Sequence, residues 1–324
     1  MKIAINGFGR IGRVFYRQAV SHPDFEIVAI NDLGDKENLL YLLEHDSVYG
    51  KFEAKNLKIG GIKFFQEKDP ANLPWEEFDV DLVVEATGAF TTREKAQAHI
   101  KAGAKRVVIT APTRDNTVTF TPEIISADPG FSAITSNASC TTNSVTPIVA
   151  ILMATVGIEK AMLTTVHAYT ASQSLVDDTN KENMREGRDA AVNIIPSSTG
   201  AAKAATEVVP ALKGKFDGVA VRVPVIAGSL TDLTFVASRS TTPEEINKIF
   251  EDAAKAPEWQ GVLKIADKGT VSTDILGEPY GSIVDTEMTR VVDGNLVKVM
   301  AWYDNEWGYA AMLIKHIETL RKYL

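Results

Sequence analysis

The stretch Lys2-Ile-Ala-Ile-Asn-Gly-Phe-Gly-Arg-Ile-Gly12 decides the fold of the first part of the chain. Its first five residues have the pattern of a buried strand, and three glycines follow in the spacing G-x-G-x-x-G. A helical pattern at 14–20 and a second strand pattern at 25–32 complete a βαβ unit, with Asp32 lying 20 residues beyond Gly12. Glycines alone also mark plain turns, but this full context predicts a dinucleotide-binding unit.

The chemistry of this unit indicates which dinucleotide it binds. The glycines let the backbone approach a pyrophosphate at the helix N-terminus, and Asp32 can accept hydrogen bonds from the adenosine ribose. A phosphate on that ribose would meet the carboxylate, so we expect NAD rather than NADP. The predicted cofactor contacts in this half of the chain are Gly7, Phe8, Gly9, Arg10, Ile11, Gly12 and Asp32, with Thr87 and Thr110 at the ends of two later strands.

Further strand patterns at 81–87, 106–110 and 132–135 flank a helical pattern at 92–102. These short β-branched runs are apolar on both faces, which suits a parallel sheet covered by helices. We therefore expect an α/β protein whose residues 1–138 form an N-terminal Rossmann domain, a doubly wound parallel sheet. The stretch 69–75, with Pro70 and Pro74, reads as a surface loop.

The pattern changes in the second half of the chain. Longer strands, many with alternating polarity, are predicted at 162–169, 218–225, 230–238 and 296–303, and helices at 201–209, 243–255 and 309–324. Such strands suit a sheet with one open or subunit-facing side. We expect an α+β catalytic domain over 139–303, and a C-terminal segment, 304–324, whose helix packs back on the NAD-binding domain.

Cys140 is the only cysteine and directly precedes an apolar helical run at 145–156. A lone thiol can form neither an internal disulfide nor a structural zinc site, and we expect no metal site. A helix N-terminus favours a thiolate over a thiol and can hydrogen-bond an oxyanion beside it. The position predicts a nucleophile, although a small buried side chain is an equally fair reading from position alone.

Composition excludes several classes of protein. The 324 residues are 45% hydrophobic with a formal net charge of -8, which disfavours nucleic acid or an anionic membrane as the main partner. The sequence has no charged leader and no segment of membrane-spanning length, so we expect a cytoplasmic protein.

Seven segments, in order along the whole chain, resemble those of the phosphorylating glyceraldehyde-3-phosphate dehydrogenases. They are Asn6-Gly-Phe-Gly-Arg-Ile-Gly-Arg13, Asn31-Asp32, Ser136-Asn-Ala-Ser-Cys-Thr-Thr-Asn143, His167-Ala-Tyr-Thr170, Ser197-Ser-Thr-Gly-Ala-Ala-Lys203, Arg222-Val-Pro224 and Trp302-Tyr-Asp-Asn-Glu-Trp-Gly-Tyr309. The resemblance implies NAD-dependent oxidative phosphorylation of D-glyceraldehyde 3-phosphate, in glycolysis or gluconeogenesis, by a homotetramer. Cys140 would carry the thiohemiacetal and thioester.

His167 is the candidate base, because an imidazole titrates near neutrality and can take the hydroxyl proton as hydride leaves. In isolation it reads as an ordinary strand histidine. The resemblance assigns Thr170 and Arg222 to the phosphate of the substrate. It assigns Ser139, Thr141, Thr199 and Gly200 to the attacking phosphate, with Arg222 between the two sites. Asn305 resembles a carboxamide ligand of the nicotinamide, and its alternative is a helix cap.

Two other functions and several departures from the family pattern stay open. The alternatives are an erythrose-4-phosphate dehydrogenase and a non-catalytic NAD-binding protein that keeps Cys140 as a redox sensor. Ser144 stands where many members have a second cysteine. Glu186 stands between Arg185 and Arg188, where a further basic residue is common, so neither arginine is assigned to phosphate. The other four histidines, His22, His45, His99 and His316, carry no functional signal.

Overall fold

The computed structural model describes residues 1–53, 59–113, 115, 117–122, 124–125, 132–180 and 183–324. The chain forms two compact units, one of Met1–Ser139 with Ala310–Leu324 and the other of Cys140–Tyr309. Within the described ranges, no helix combines the length and apolar character needed to cross a membrane.

A largely parallel sheet is the centre of the first unit. Its strands are β1 (Lys2–Asn6), β2 (Glu26–Asn31), β5 (Lys63–Phe65), β6 (Leu82–Glu85), β7 (Arg106–Ile109), β8 (Val118–Thr121), β9 (Ile124–Ile125) and β10 (Ile134–Ser136), and β3 (His45–Asp46) and β4 (Gly50–Lys51) form a separate hairpin. The strand order is β5-β2-β1-β6-β7-β10-β8-β9, and only β9 runs antiparallel to its neighbour. This order confirms the predicted doubly wound sheet.

Three helices connect the early strands of this unit: α1 (Arg10–Ala19), α2 (Lys36–Glu44) and α3 (Arg93–Lys101). Asp35 caps α2 by accepting the N–H of Asn38 at 3.0 Å, and Thr92 caps α3 in the same way. The reading of 69–75 as a surface loop is wrong at Trp75, which is fully buried and packs edge-to-face on Phe65. Burial of a large aromatic ring stabilises the core strongly, and at Trp75 this effect outweighs the preference for a surface loop that the neighbouring prolines indicate.

The second unit is built on a mixed sheet. Its elements are α4 (Cys140–Thr155), β11 (Ile158–Ala168), β12 (Ile195–Ser198), α5 (Ala201–Val208), β13 (Phe216–Val223), β14 (Ser229–Ala237), α6 (Pro243–Ala253), β15 (Leu263–Ile265), β16 (Ser282–Val292) and β17 (Leu296–Tyr303). The strand order is β12-β13-β11-β14-β17-β16-β15, with β11 parallel to β13 and antiparallel to β14. Burial alternates strictly along β14, as in a sheet with one covered face. The α+β prediction is confirmed.

The last helix, α7 (Trp307–Leu320), begins two residues before the predicted start. Its residues from Ala310 onward belong to the first unit. There the buried His316 lies 3.1 Å from the hydroxyl of Thr135, with its ring beside that of Phe120.

Candidate active site and cofactor cavity

A cavity of about 440 Å³ lies in the first unit, at the carboxyl ends of β1, β2 and β6. In doubly wound sheets, ligands bind at this edge. Four of the predicted cofactor residues line the cavity, namely Gly7, Gly9, Asp32 and Thr87.

The three fingerprint glycines have three different reasons to lack a side chain. Gly7 has a φ of 93°, and a Cβ there would lie 2.6 Å from the backbone of Ala86 and Thr87. A Cβ on Gly12 would lie 2.1 Å from the carbonyl oxygen of Gly7. A Cβ on Gly9 would meet nothing within 4 Å, so the space beside Gly9 at the start of α1 is open to a ligand. Open space at a helix N-terminus suits a pyrophosphate.

Asp32 is tied to the glycine loop by its carboxylate. One oxygen accepts the N–H of Phe8 at 2.6 Å and the other accepts the N–H of Gly34 at 2.8 Å. Each carboxylate oxygen has further acceptor capacity, so Asp32 can also receive ribose hydroxyls.

The other predicted cofactor residues of this unit do not line the cavity. The ring of Phe8 is buried against Tyr16, and Arg10 pairs with Asp46 at 2.6 Å. Ile11 and Gly12 lie in the first turn of α1. The hydroxyl of Thr110 donates to the carbonyl oxygen of Glu85 at 3.0 Å.

In the second unit, Cys140 is the first residue of α4, which confirms its predicted place at a helix N-terminus. Its Sγ lies 3.3 Å from Nε2 of His167, near the end of β11. A thiol and an imidazole at this distance can share a proton, as nucleophile and base must.

Arg222 lies beside His167 because β13 pairs in parallel with β11 and these two residues are in register. Its Nη1 is 2.7 Å from Nδ1 of His167 and 3.1 Å from the carbonyl oxygen of Ala168. Nδ1 is also 2.7 Å from that carbonyl oxygen. Nδ1 cannot accept from the guanidinium and donate to the carbonyl at once. While Arg222 donates to Nδ1, the imidazole proton is on Nε2 and faces the sulfur.

Burial outweighs the charges in this pair. It raises the pKa of the Cys140 thiol, against the opposing effects of Arg222, of the hydroxyl and N–H of Thr141, and of the N–H of Cys140 itself. Burial and then the guanidinium lower the pKa of His167 to about 3. Burial therefore acts against the stabilisation of a thiolate that the helix N-terminus offers.

Tyr303 is a buried member of the site that the sequence analysis did not single out. Its hydroxyl is 2.9 Å from that of Thr141 and 2.7 Å from that of Thr165, and its ring packs edge-to-face on His167. The only sequence signal was its place in the segment 302–309. Tyr303 thus fixes the hydroxyl of Thr141, the residue after Cys140.

The residues predicted to bind phosphate fall into two groups at different positions along β13. Thr170 follows β11 at the same end of the sheet as Arg222, and its hydroxyl is 3.0 Å from that of Ser172. Ile195 pairs with Arg222 in the antiparallel β12, so Ser198, the residue before Thr199, pairs with Val219 instead. Gly200 precedes α5 with open space beside it. Ser139 is the last residue of the first unit.

Asn305 is not the cap of α7. Asp304 instead caps the helix, because its side chain accepts hydrogen bonds from the N–H groups of Glu306 and Trp307, each at 2.9 Å. The side-chain oxygen of Asn305 accepts from Gly228 N–H and Ser229 Oγ, each at 3.1 Å, which fixes the orientation of its amide. Its role toward a nicotinamide stays a prediction.

Comparison with known proteins identifies the family. Residues 1–93 match the NAD binding domain and residues 139–305 the C-terminal domain of glyceraldehyde 3-phosphate dehydrogenase. Glyceraldehyde-3-phosphate dehydrogenase 1 of Streptomyces avermitilis is 47% identical over 325 residues, which cover 97% of this chain and 96% of the relative. The chain belongs to the glyceraldehyde-3-phosphate dehydrogenase family. The enzymes of that name from Bacteroides fragilis and Zymomonas mobilis are 47% and 43% identical over 96% and 100% of this chain, and over 96% and 99% of their own lengths.

Membership of the family confirms an NAD-dependent dehydrogenase that acts on small-molecule substrates. The first unit fits this cofactor, because a cavity lined by Gly9 and Asp32 offers both the open helix N-terminus and the ribose acceptor that NAD needs.

Two departures from the family pattern have local partners in the structure. Ser144 is buried, and its hydroxyl lies 2.9 Å from that of Thr231. Glu186 accepts the hydroxyl of Ser197 at 2.5 Å and that of Ser172 at 3.4 Å, so it links the segments that contain the predicted phosphate ligands. Arg188 pairs with Asp177 at 2.9 Å in an exposed ion pair. In the same long segment, residues 181 and 182 lie outside the described ranges.

Proposed function

We propose that the chain catalyses the NAD-dependent oxidative phosphorylation of D-glyceraldehyde 3-phosphate to 1,3-bisphosphoglycerate. The observation that carries this function is the 3.3 Å contact between the Sγ of Cys140 and Nε2 of His167 at the N-terminus of α4. The thiol adds to the aldehyde carbon to give a thiohemiacetal. The thiohemiacetal becomes a thioester when it loses a hydride, for which NAD would be the acceptor when bound, and loses its hydroxyl proton to His167. Inorganic phosphate then attacks the thioester and releases the thiol.

His167 needs a free Nε2 to act as the base. Nε2 is free when the imidazole proton is on Nδ1 and donates to the carbonyl oxygen of Ala168, 2.7 Å away. That arrangement requires the guanidinium of Arg222 to release Nδ1. A phosphate group that draws Arg222 to itself would have this effect, so substrate binding prepares the base.

Unsatisfied and open donors support the anion sites. Nε of Arg222 is buried without an acceptor in the described structure, and such a donor gains from an anion. Gly200 precedes α5, where backbone N–H groups and the hydroxyl of Thr199 suit an oxyanion. We assign Thr170 and Arg222 to the substrate phosphate, and Thr199 and Gly200 with Ser139 and Thr141 to the attacking phosphate.

A homotetramer fits the open face of the second sheet. Met162, Val219 and Leu296 are 56%, 47% and 43% exposed on the face opposite the buried Leu163. Met162 and Leu296 also line a cavity of about 570 Å³. Large exposed apolar side chains on one face are typical of a subunit interface. Light scattering of the purified protein tests this assembly, and a monomer would contradict it. A cytoplasmic location stays a prediction.

The decisive experiment measures NADH formation with a panel of aldehydes, with and without inorganic phosphate. We expect phosphate-dependent turnover that is fastest with glyceraldehyde 3-phosphate. Faster turnover of erythrose 4-phosphate would favour the first alternative function. Cys140→Ser should abolish turnover and keep NAD binding, whereas NAD binding without any turnover in the parent protein would favour a redox sensor.

A further inference from the structure

A buried carboxylate lies behind the cofactor cavity. Glu85, the last residue of β6, is 2% exposed. One of its oxygens accepts from Nδ2 of Asn6 at 2.6 Å and from Nε2 of His99 at 2.9 Å. The other accepts the N–H of Thr87 at 2.8 Å and also the hydroxyl of Thr87. Four donors converge on this carboxylate, which is the environment that an ionised group requires.

Trp75 sets the tautomer of His99. Its indole N–H donates to Nδ1 of His99 at 3.0 Å, and both side chains are fully buried. An indole nitrogen can only donate, so Nδ1 must be unprotonated and the ring proton must be on Nε2. Nε2 of His99 therefore donates to Glu85, and the ring is held from both sides.

This buried chain of hydrogen bonds extends to the wall of the cavity. Asn6 Oδ1 accepts from Nδ2 of Asn31 at 2.7 Å, and Asn31 Oδ1 accepts the N–H of Glu67 at 2.8 Å. Asn6, Asn31, Glu67 and Thr87 all line the cavity, whereas Glu85, His99 and Trp75 do not. The polar wall of the cavity thus connects, bond by bond, to three buried residues outside it.

We propose that Glu85 and His99 are positioning residues for NAD. Glu85 holds the N–H and hydroxyl of Thr87 and the amide of Asn6 in one arrangement, and His99 prevents the carboxylate from turning away. Without the His99 donor, the carboxylate of Glu85 is less constrained. The groups of Asn6 and Thr87 that it holds in the cavity wall are then less well ordered when NAD binds. The effect should fall on cofactor affinity and leave the thiol chemistry of the second unit unaltered.

The test is calorimetric titration of the purified enzyme with NAD. Loss of a hydrogen bond to a charged group is expected to raise the Kd for NAD about tenfold in His99→Leu. His99→Gln keeps a donor and an acceptor and should bind NAD within about threefold of the parent enzyme. At saturating NAD, kcat should stay near the parent value in both variants, so that the change appears in the KM for NAD.

His316→Leu is the matched control. His316 is also fully buried in the first unit and lies 3.1 Å from the hydroxyl of Thr135. Glu85, the partner of His99, binds Asn6 and Thr87 of the cavity wall, whereas Thr135 does not line the cavity. Both leucine variants should unfold at lower temperature, and only His99→Leu should lose NAD affinity. An unchanged Kd in His99→Leu, or an equal loss in His316→Leu, would show that the network is merely structural.

Trp75→Phe serves as the second variant if His99→Leu does not fold. It keeps an aromatic ring and removes the N–H that fixes the tautomer of His99. We expect the Kd for NAD to rise at least about threefold, because part of the His99 donation to Glu85 is lost. A Kd equal to that of the parent enzyme would overturn the positioning role.

Discussion

Replacing Arg222 with leucine should raise the pKa of His167. The Nη1 of Arg222 is 2.7 Å from Nδ1, and a positive charge there opposes protonation of the ring. Burial first and this charge second lower the pKa of His167 to about 3 from its ordinary value of 6.5. Arg222→Leu removes only the second cause, so the pKa should rise and still stay below 6.5.

The size of the rise follows from the distance. Two unit charges about 4 Å apart interact by about 4 kcal/mol at an effective dielectric constant of about 20. Because Arg222 is only half-buried, solvent screens part of this interaction energy. We therefore expect the pKa of His167 to rise by about 1–2 in Arg222→Leu. The same cation stabilises the thiolate, so its removal should also raise the pKa of the Cys140 thiol.

Two measurements check both directions. Nuclear magnetic resonance of histidine-labelled protein measures the pKa of the His167 ring. The His167 signal is assigned from its absence in His167→Asn. The pH dependence of inactivation by iodoacetamide measures the pKa of the Cys140 thiol. Arg222→Lys keeps a cation and should stay near the parent enzyme in both. A lower or unchanged pKa of His167 in Arg222→Leu, or alkylation that moves to lower pH, would refute the electrostatic reasoning.

Five further substitutions test the site and the fold. His167→Asn should lower turnover about 100- to 10,000-fold in steady-state assays while Cys140 stays alkylatable; near-parent turnover would exclude His167 as the base. Asp32→Asn should narrow the preference for NAD over NADP by at least about tenfold in kcat/KM, and an unchanged ratio would place Asp32 away from the ribose. Thr170→Ala should raise the KM for glyceraldehyde 3-phosphate about 10- to 150-fold but leave that for glyceraldehyde unchanged. Thr199→Ala should slow the phosphate-dependent breakdown of the thioester and keep the first burst of NADH. If Thr199→Ala lost the burst and Thr170→Ala lost only the phosphate dependence, the two phosphate sites would be assigned the wrong way round. Gly12→Ala places a Cβ 2.1 Å from the carbonyl oxygen of Gly7 and should lower the free energy of unfolding by about 1–3 kcal/mol in chemical denaturation; parent-like stability would show that the loop shifts to admit the methyl group.

Local patterns predicted the elements that carry the chemistry. The helix after Cys140, the strand that contains His167 and the strand that contains Arg222 each have a clear apolar pattern, and the structure has all three. The contact between His167 and Arg222 is different, because it depends on the register of two strands and joins residues 55 positions apart in sequence. No periodicity within either strand encodes that register.

Elements with a broken pattern were missed. β16 did not emerge from the sequence, and its register with β17 shifts between Asp285 and Arg290, which disrupts the alternation of polarity. His99 and Trp75 carried no signal for a related reason. They are 24 residues apart, and one of them lies in a stretch that its prolines mark as a loop. Their pairing depends on tertiary burial, which neither local pattern shows.

The charge state of the active site shows the same limit in energetic terms. A helix N-terminus stabilises a nearby anion by about 0.3–2 kcal/mol, and the sequence alone showed this favourable effect. Desolvation acts in the opposite direction, and its size depends on side chains distant in sequence, such as Tyr303, whose ring packs on His167. Desolvation raises the pKa of the Cys140 thiol and lowers that of the His167 imidazole, so it acts against the charged form of each. In the proposed mechanism, a substrate phosphate that draws Arg222 from Nδ1 would let that nitrogen hold the imidazole proton and would leave Nε2 free as the base.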